Sequence, residues 1–331
     1  MNMFPSQIKN PGDPLIISRA PESTAQTESY AQPGDRRPGV AIVQRSPVII
    51  IGMHRSGTSI ITRLLESAGL MVGNKKDENH EALFFQRIDE WVLRQSGASW
   101  DHPAAIHDLL ENAEIRKMTT DYISQYLMGS PRTISFLGWK FYLQYQTPSS
   151  LTIPWGWKCP ISTYTLPLWL DLFPGAKVIH IYRHGVDVAQ SLRKRALEGM
   201  KRTELQELYY SLPVVHWIRP KPGTFVESVR CLNLEGGLSL WEEYMREARF
   251  HVQTMGDRAI ELKYEEFLLE PSETLRSLIR FCDLPAGQSN VAQLATRIKK
   301  ERAYAFRRDP KLRDFANCVT QRLNAQQYGE Q

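Results

Sequence analysis

The stretch VIIIGMHRSGTSIITRLLESAGL, residues 48–70, constrains this chain more than any other. Val48, Ile49, Ile50 and Ile51 run into Gly52, a polar turn and Gly57. Ile60, Ile61, Leu64, Leu65 and Ala68 then recur at helical spacing, and Gly69 suits a helix C-cap. A short run that is apolar at every position fits a parallel strand buried on both faces. Strand, glycine-rich turn and helix make the first half of a βαβ unit. The frame nearly reproduces the phosphate-binding loop G-x-x-x-x-G-K-[ST]. The lysine position holds Thr58, however, and the cation has moved inside the loop, to Arg55.

More strand-to-helix units follow. EALFFQRIDEWVLRQSG (81–97) places Leu83, Phe84, Ile88, Trp91 and Val92 on one stripe, and residues 106–127 also read as one helix. IPWGWKCP (153–160) is short and extended, and 163–175 is helical up to Pro174-Gly175. AKVIHIYR (176–183) is a second buried strand, with its helix over 186–199. Residues 200–234, with Pro213, Pro220 and Pro222, read as irregular. A helix over 238–255, a strand within 258–268 and a helix over 271–285 complete the pattern, before a basic helical tail from Ala286. Strands alternating with helices predict an α/β fold with a mostly parallel sheet. Ligands of such sheets bind at the carboxyl ends of the strands.

The first 45 residues differ in kind. Seven of the chain's 20 prolines fall within residues 1–47, among Ser, Thr, Gln, Asp and Gly. We read 1–45 as a disordered or loosely attached tail and 46–331 as a single domain. The net charge of +5 favours anionic ligands. No basic stripe or reader module points to nucleic acid. Cys159, Cys231, Cys282 and Cys318 are far apart, so neither a zinc site nor a disulfide framework is indicated. No apolar run reaches the roughly 18 residues of a membrane span. The expectation is a cytoplasmic protein with no transmembrane segment, a peripheral membrane contact being left open.

Two junctions carry the chemistry. At the first, a glycine-rich turn feeds a helix N-terminus, which presents N–H groups and a positive dipole end. Ser56, Gly57, Thr58 and Ser59 supply donors, and Arg55 supplies a bidentate cation. Without the lysine, the loop would hold a phosphate without need of a metal. At the second junction Arg183 ends a strand, and Ser191 lies two turns into the next helix, where the two could grip one more phosphate.

Together these motifs resemble the sulfotransferase family that uses 3′-phosphoadenosine 5′-phosphosulfate (PAPS), in its bacterial-type and tyrosyl-protein-sulfotransferase-like branch. HRSGTS (54–59) is similar to that family's 5′-phosphosulfate loop, of RSGTT character. RHGVDVAQS (183–191) is similar to its 3′-phosphate element R-x-P-x-D-x-x-x-S, with Gly185 at the proline position. FPGAKVIHIYR and LKYEEFLLEPSETLRSLIRFCDLP look like the same family, over about residues 46–310. The resemblance implies a P-loop-like three-layer α/β/α fold with helical insertions. It also implies PAPS as donor, no metal, and a hydroxyl acceptor.

The resemblance further gives Lys158, in WGWKCP, the place of a K-x-P lysine near the bridging oxygen. It places the general base in the window KKDENHEALFF, where Glu78, His80 and Glu81 are candidates. Glu81 is preferred because it precedes the anchored Phe84-Phe85 helix. Tyr304 and Phe306 are candidates for an adenine slot, with Arg302 beside the 3′-phosphate, although the RKG element of cytosolic relatives is missing. Residues 98–152 and 199–235 would form the acceptor side. Their aromatic residues, among them Trp100, Trp139 and Trp217, suit a sugar face, a lipid or a phenol. A small-molecule or glycan acceptor is expected, with a lean towards carbohydrate or glycolipid. The competing readings are a nucleotide-dependent kinase or other P-loop NTPase, and an inactive PAPS- or nucleotide-binding protein. The first would want an acidic strand end where VIHIYR ends in arginine.

Overall fold

A computed structural model describes residues 45–210, 224–285, 298 and 300–328. Residues 1–44 of the expected tail, 211–223 of the expected second insertion and the start of the expected basic tail lie outside them. Four strands form one parallel sheet: β1 (Val48–Ile51), β2 (Gly156–Lys158), β3 (Lys177–Tyr182) and β4 (Ala259–Lys263). Their order is β2-β1-β3-β4. β1 therefore lies between two parallel neighbours, with Ile50 opposite both Lys158 and Ile179.

The pleat sends alternate residues of β1 to opposite faces, and both faces are covered. Val48 and Ile50 join a core with Leu65 of helix α1 (Thr58–Ser67) and Phe267 of a later helix. Ile49 and Ile51 join a larger, aromatic core with Phe85 of α2 (Leu83–Gln95). The result is three layers, with helices on each side of the sheet. The region between α2 and β2 is helical: α3 (Ile106–Glu111), α4 (Ala113–Gly129) and α5 (Ile134–Tyr145). α6 (Ser162–Leu172) then leads into β3, and α7 (Gly185–Tyr210) leaves it. α8 (Leu234–Met255) precedes β4, and α9 (Tyr264–Leu269) and α10 (Pro271–Phe281) follow it. α11 (Pro310–Cys318) and α12 (Thr320–Ala325) end the described chain.

Three boundaries differ from the sequence reading, each for a local reason. The helix expected over 106–127 is two helices. Asn112 is extended at the break, and its side chain accepts the Ile115 N–H at 3.0 Å, capping α4. The helix expected to end at 199 continues to Tyr210, so 200–210 is not irregular. α8 begins at Leu234 because Asn233 accepts the Gly236 N–H at 2.6 Å.

A buried carboxylate holds the aromatic layer together. Asp89 of α2 accepts from Ser162 Oγ at 2.5 Å, Thr165 Oγ1 at 2.6 Å and Trp169 Nε1 at 2.8 Å, all on α6. Ser162 Oγ in turn accepts from Trp157 Nε1 of β2 at 3.1 Å. The Trp157 ring stacks on Phe85 of α2 at 3.9 Å. α2 is thus pinned to β2 and to the start of α6, on either side of Lys158. Asp89→Ala leaves three buried donors unpaired and is expected to destabilise the fold by about 3 kcal/mol or more. Urea denaturation measures this, and a loss below about 1 kcal/mol would show that Asp89 is not the anchor.

Candidate active site at the carboxyl ends of the strands

The loop after β1 is held in shape by glycine. Gly52 has φ +129°, and a Cβ there would meet the Ile181 carbonyl oxygen at 2.2 Å. Gly57 has φ +89°, and a Cβ there would strike the Tyr264 ring at 2.3 Å. Both positions combine a left-handed backbone with a close approach, so no side chain fits. Gly57 is also the N-cap of α1, and no side chain caps that end. The first-turn N–H groups of α1 have no intrahelical acceptor, and they carry the positive end of the helix dipole. The buried Ser56 Oγ likewise lacks a partner.

Cations gather around this end. Arg55 Nε donates to Ser191 Oγ of α7 at 2.8 Å, which joins the two predicted phosphate junctions directly. Partial burial, then Arg195 and Arg183, pull the Arg55 guanidinium below the usual arginine range. Arg183 Nη2 pairs with Asp187 at 3.1 Å and also donates to the Arg302 carbonyl oxygen at 3.1 Å. Its guanidinium lies over the Tyr264 ring at 5.2 Å. Three of the predicted phosphate ligands, Arg55, Arg183 and Ser191, are therefore linked through α7. Arg302 is exposed and meets Arg183 through its backbone.

Beside the loop is a cleft of about 40 Å³, lined by Arg55, Gly57, Thr58, Ser59, Glu81 and Lys158 among others. Lys158 ends β2, and its Nζ donates to Glu81 Oε1 at 2.9 Å. The side chains are 1% and 3% exposed. Such a pair loses much solvation and is held only by good geometry. The other oxygen, Glu81 Oε2, has no partner. Burial is the largest influence on Glu81 and lifts it above the usual carboxylate range, against the pull of Lys158. Asp77 fixes the backbone here, accepting the Glu81 N–H at 2.7 Å. The other two base candidates are elsewhere. Glu78 is exposed, and His80 Nε2 is engaged by Glu66 at 2.5 Å.

Two further residues line the cleft: Arg195, which the sequence reading did not single out, and His54, which it read as a structural part of the loop. Arg195 lies one helical turn beyond Ser191 on α7, a spacing that could have marked it. His54 has its Nε2 buried and unpartnered. Burial, then Arg195, Lys158 and Arg55, hold its imidazole well below the usual histidine range, and thus neutral. Trp100 of the expected acceptor side packs edge-on to His54 at 5.1 Å. Trp139 is exposed and stacks with Tyr142, away from the cleft lining. Trp217 lies outside the described residues. The expected adenine residues Tyr304 and Phe306 surround His184, with Phe306 stacked on its ring at 4.3 Å. They are not among the residues lining the loop cleft.

Among solved structures, the chain is similar to a sulfotransferase from Mycobacterium tuberculosis. The identity is 15%, over 77% of this chain and 72% of that one, with a TM-score of 0.43. It is also similar to the sulfotransferase domain of the Synechococcus PCC 7002 olefin synthase, at 17% identity over 84% and 89%, with a TM-score of 0.40. A sulfotransferase from Alicyclobacillus acidocaldarius gives 15% identity over 87% and 98%, with a TM-score of 0.40. No curated protein sequence matches the chain. A sequence model described as Sulfotransferase family matches residues 47–288, which include both junctions, Glu81 and Lys158. With that match over well over half its length, the chain belongs to the sulfotransferase family and is a sulfotransferase.

Proposed function

We propose that this enzyme moves a sulfuryl group from PAPS to a hydroxyl on a carbohydrate or glycolipid, by in-line transfer. The observation that carries this reading is the convergence at one cleft of an uncapped helix end, Arg55, and the buried Lys158–Glu81 pair. The uncapped N–H groups and the unpartnered Ser56 hydroxyl suit an anionic donor. Arg55, Ser56, Gly57, Thr58 and Ser59 would hold the 5′-phosphosulfate, and Arg183, Ser191 and Arg302 the 3′-phosphate. Residues 46–331 act as one domain in this reading, with 98–152 and 199–235 on the acceptor side.

The residues divide the work by charge. Glu81 Oε2 takes the proton of the acceptor hydroxyl. The acceptor oxygen bonds to sulfur as the bond from sulfur to the bridging oxygen breaks. The leaving 5′-phosphate gains negative charge, which Arg55, the loop N–H groups and Lys158 stabilise. Lys158 already touches the base, so one ammonium serves both ends of the transfer. A strand end that carries Arg183 rather than an aspartate offers no Walker B ligand, which counts against the kinase reading.

Binding, kinetics and metal removal test the proposal. Calorimetric titration with adenosine 3′,5′-bisphosphate is expected to show tight binding, and ATP with magnesium weak binding. Arg55→Ala and Arg183→Ala should each weaken the bisphosphate by about 10- to 100-fold, the loss of a charged hydrogen bond. Near-native affinity in both would sink the site assignment. Glu81→Gln should leave donor binding intact and cut turnover by about 100-fold or more. A raised carboxylate ionises at higher pH than a free one. The acidic limb of kcat/KM is therefore expected above the ordinary glutamate range, and it should vanish in Glu81→Gln. A limb that persists in this variant would move the base elsewhere. EDTA is expected to leave the rate unchanged, whereas a strict magnesium requirement would favour a nucleotide-dependent kinase.

A further inference from the structure

On the far side of Arg183 the next residue, His184, opens onto a cavity of about 780 Å³ that shares no lining residue with the loop cleft. This volume is within the range of small-molecule pockets. One wall is made of rings. Phe306 stacks on His184, Tyr328 meets the His184 ring edge-on at 5.1 Å, and Tyr304 closes in at 5.8 Å. α11 and α12 complete the lining, through Ala316, Thr320 and Leu323.

Two buried carboxylates build the ring wall. Glu265 Oε1 accepts the His184 N–H at 3.0 Å, and its Oε2 accepts the Tyr328 hydroxyl at 3.0 Å. Asp187 accepts the N–H groups of Ala305 and Phe306 at 3.1 and 2.8 Å. The rings are therefore fixed rather than collapsed inward. Within this wall His184, 5% exposed, has its Nδ1 buried with no partner. An unpaired buried polar atom is costly, and a ligand atom would relieve it. The mouth leans positive. Arg307 and Arg313 have no carboxylate partner among the described residues, and Asp314 is the one acid in the lining.

We propose that this cavity is a second binding site, for a small molecule that joins an aromatic ring to an oxyanion. The ring stacks within the aromatic wall and offers a polar atom to His184 Nδ1. The oxyanion meets Arg307 and Arg313 at the mouth. Burial, with Arg307, Arg183 and Lys263, lowers His184 to about 3, so its imidazole is neutral near pH 7 and adds no charge of its own. Asp187 belongs to both places, since it pairs with Arg183 on one side and anchors Phe306 on the other.

The test is calorimetric titration of the full chain with 1-naphthyl phosphate. Neutral 1-naphthol serves as the ring alone, and inorganic phosphate as the anion alone. The joined probe is expected to saturate the protein with Kd on the order of 1 mM or below, at least about tenfold tighter than either part. Arg307→Ala/Arg313→Ala is expected to weaken it by about tenfold or more. Asn317→Trp, at an exposed lining position, should block it, while Arg55→Ala should leave it unchanged. Circular dichroism confirms the fold of each variant. Failure of the wild-type protein to saturate would overturn the site, as would equal binding by both cavity variants. Loss of binding in Arg55→Ala would overturn it too, by placing the probe in the loop cleft.

Discussion

A strand paired on both edges and covered on both faces has nowhere to put a polar side chain except at its end. β1 is in this position, and the rest of the architecture follows from it. Its backbone groups are consumed by β2 and β3, and its side chains by two hydrophobic layers. The chain leaves the sheet at Gly52, whose N–H donates to Thr163 Oγ1 of α6 at 3.2 Å, at the point where neighbouring connections diverge to opposite sides. An open α/β sheet forms its crevice at such a point. The tight contacts of Gly52 with β3 and of Gly57 with Tyr264 then set how closely the loop is drawn against its neighbours.

Like charges close together repel, and Arg55, Arg183, Arg195 and Arg302 are arranged against that repulsion. The fold tolerates it because several of the groups have local compensation. Arg183 has Asp187, Arg195 has Glu227, and Arg55 donates to a neutral hydroxyl. The positive field left over favours anions at this end of the sheet. Lys158 and Glu81 follow a different logic. Both are nearly inaccessible, and their mutual bond leaves one carboxylate oxygen without a partner. Low local dielectric makes that oxygen responsive to whatever proton donor arrives.

Much of this was legible in the sequence, because hydrophobic period and glycine placement are local signals. Val48–Ile51 and 176–183 announced buried parallel strands, and Gly52 and Gly57 announced the tight turn between β1 and α1. The choice of Glu81 over Glu78 and His80 rested on the rigidity of the Phe84-Phe85 helix, and Glu81 is the one of the three that lines the cleft. What escaped were effects decided by side-chain hydrogen bonds or by distant contacts. Asn112 and Asn233 reset helix starts through single caps. Arg195 and His54 gain their positions from packing against Trp100, which lies far from either in the chain. The hydrogen bonds from Ala305 and Phe306 N–H to Asp187, and the packing of Tyr304 and Phe306 around His184, also lay beyond the sequence pattern.

α7 has a mechanical side. It starts at Gly185, where a Cβ would meet Trp241 at 2.7 Å, and runs 26 residues to Tyr210. At about 1.5 Å per residue it is a rod of roughly 39 Å. Ser191, which holds Arg55, lies about 9 Å from the clamped end, and Tyr210 about 37 Å from it. Moving as one body about that end, the helix would magnify a 1 Å shift at Ser191 to roughly 4 Å at its tip. The hydroxyl that accepts from Arg55 beside the sheet is thus on the short arm of a lever whose long arm ends within the second expected insertion.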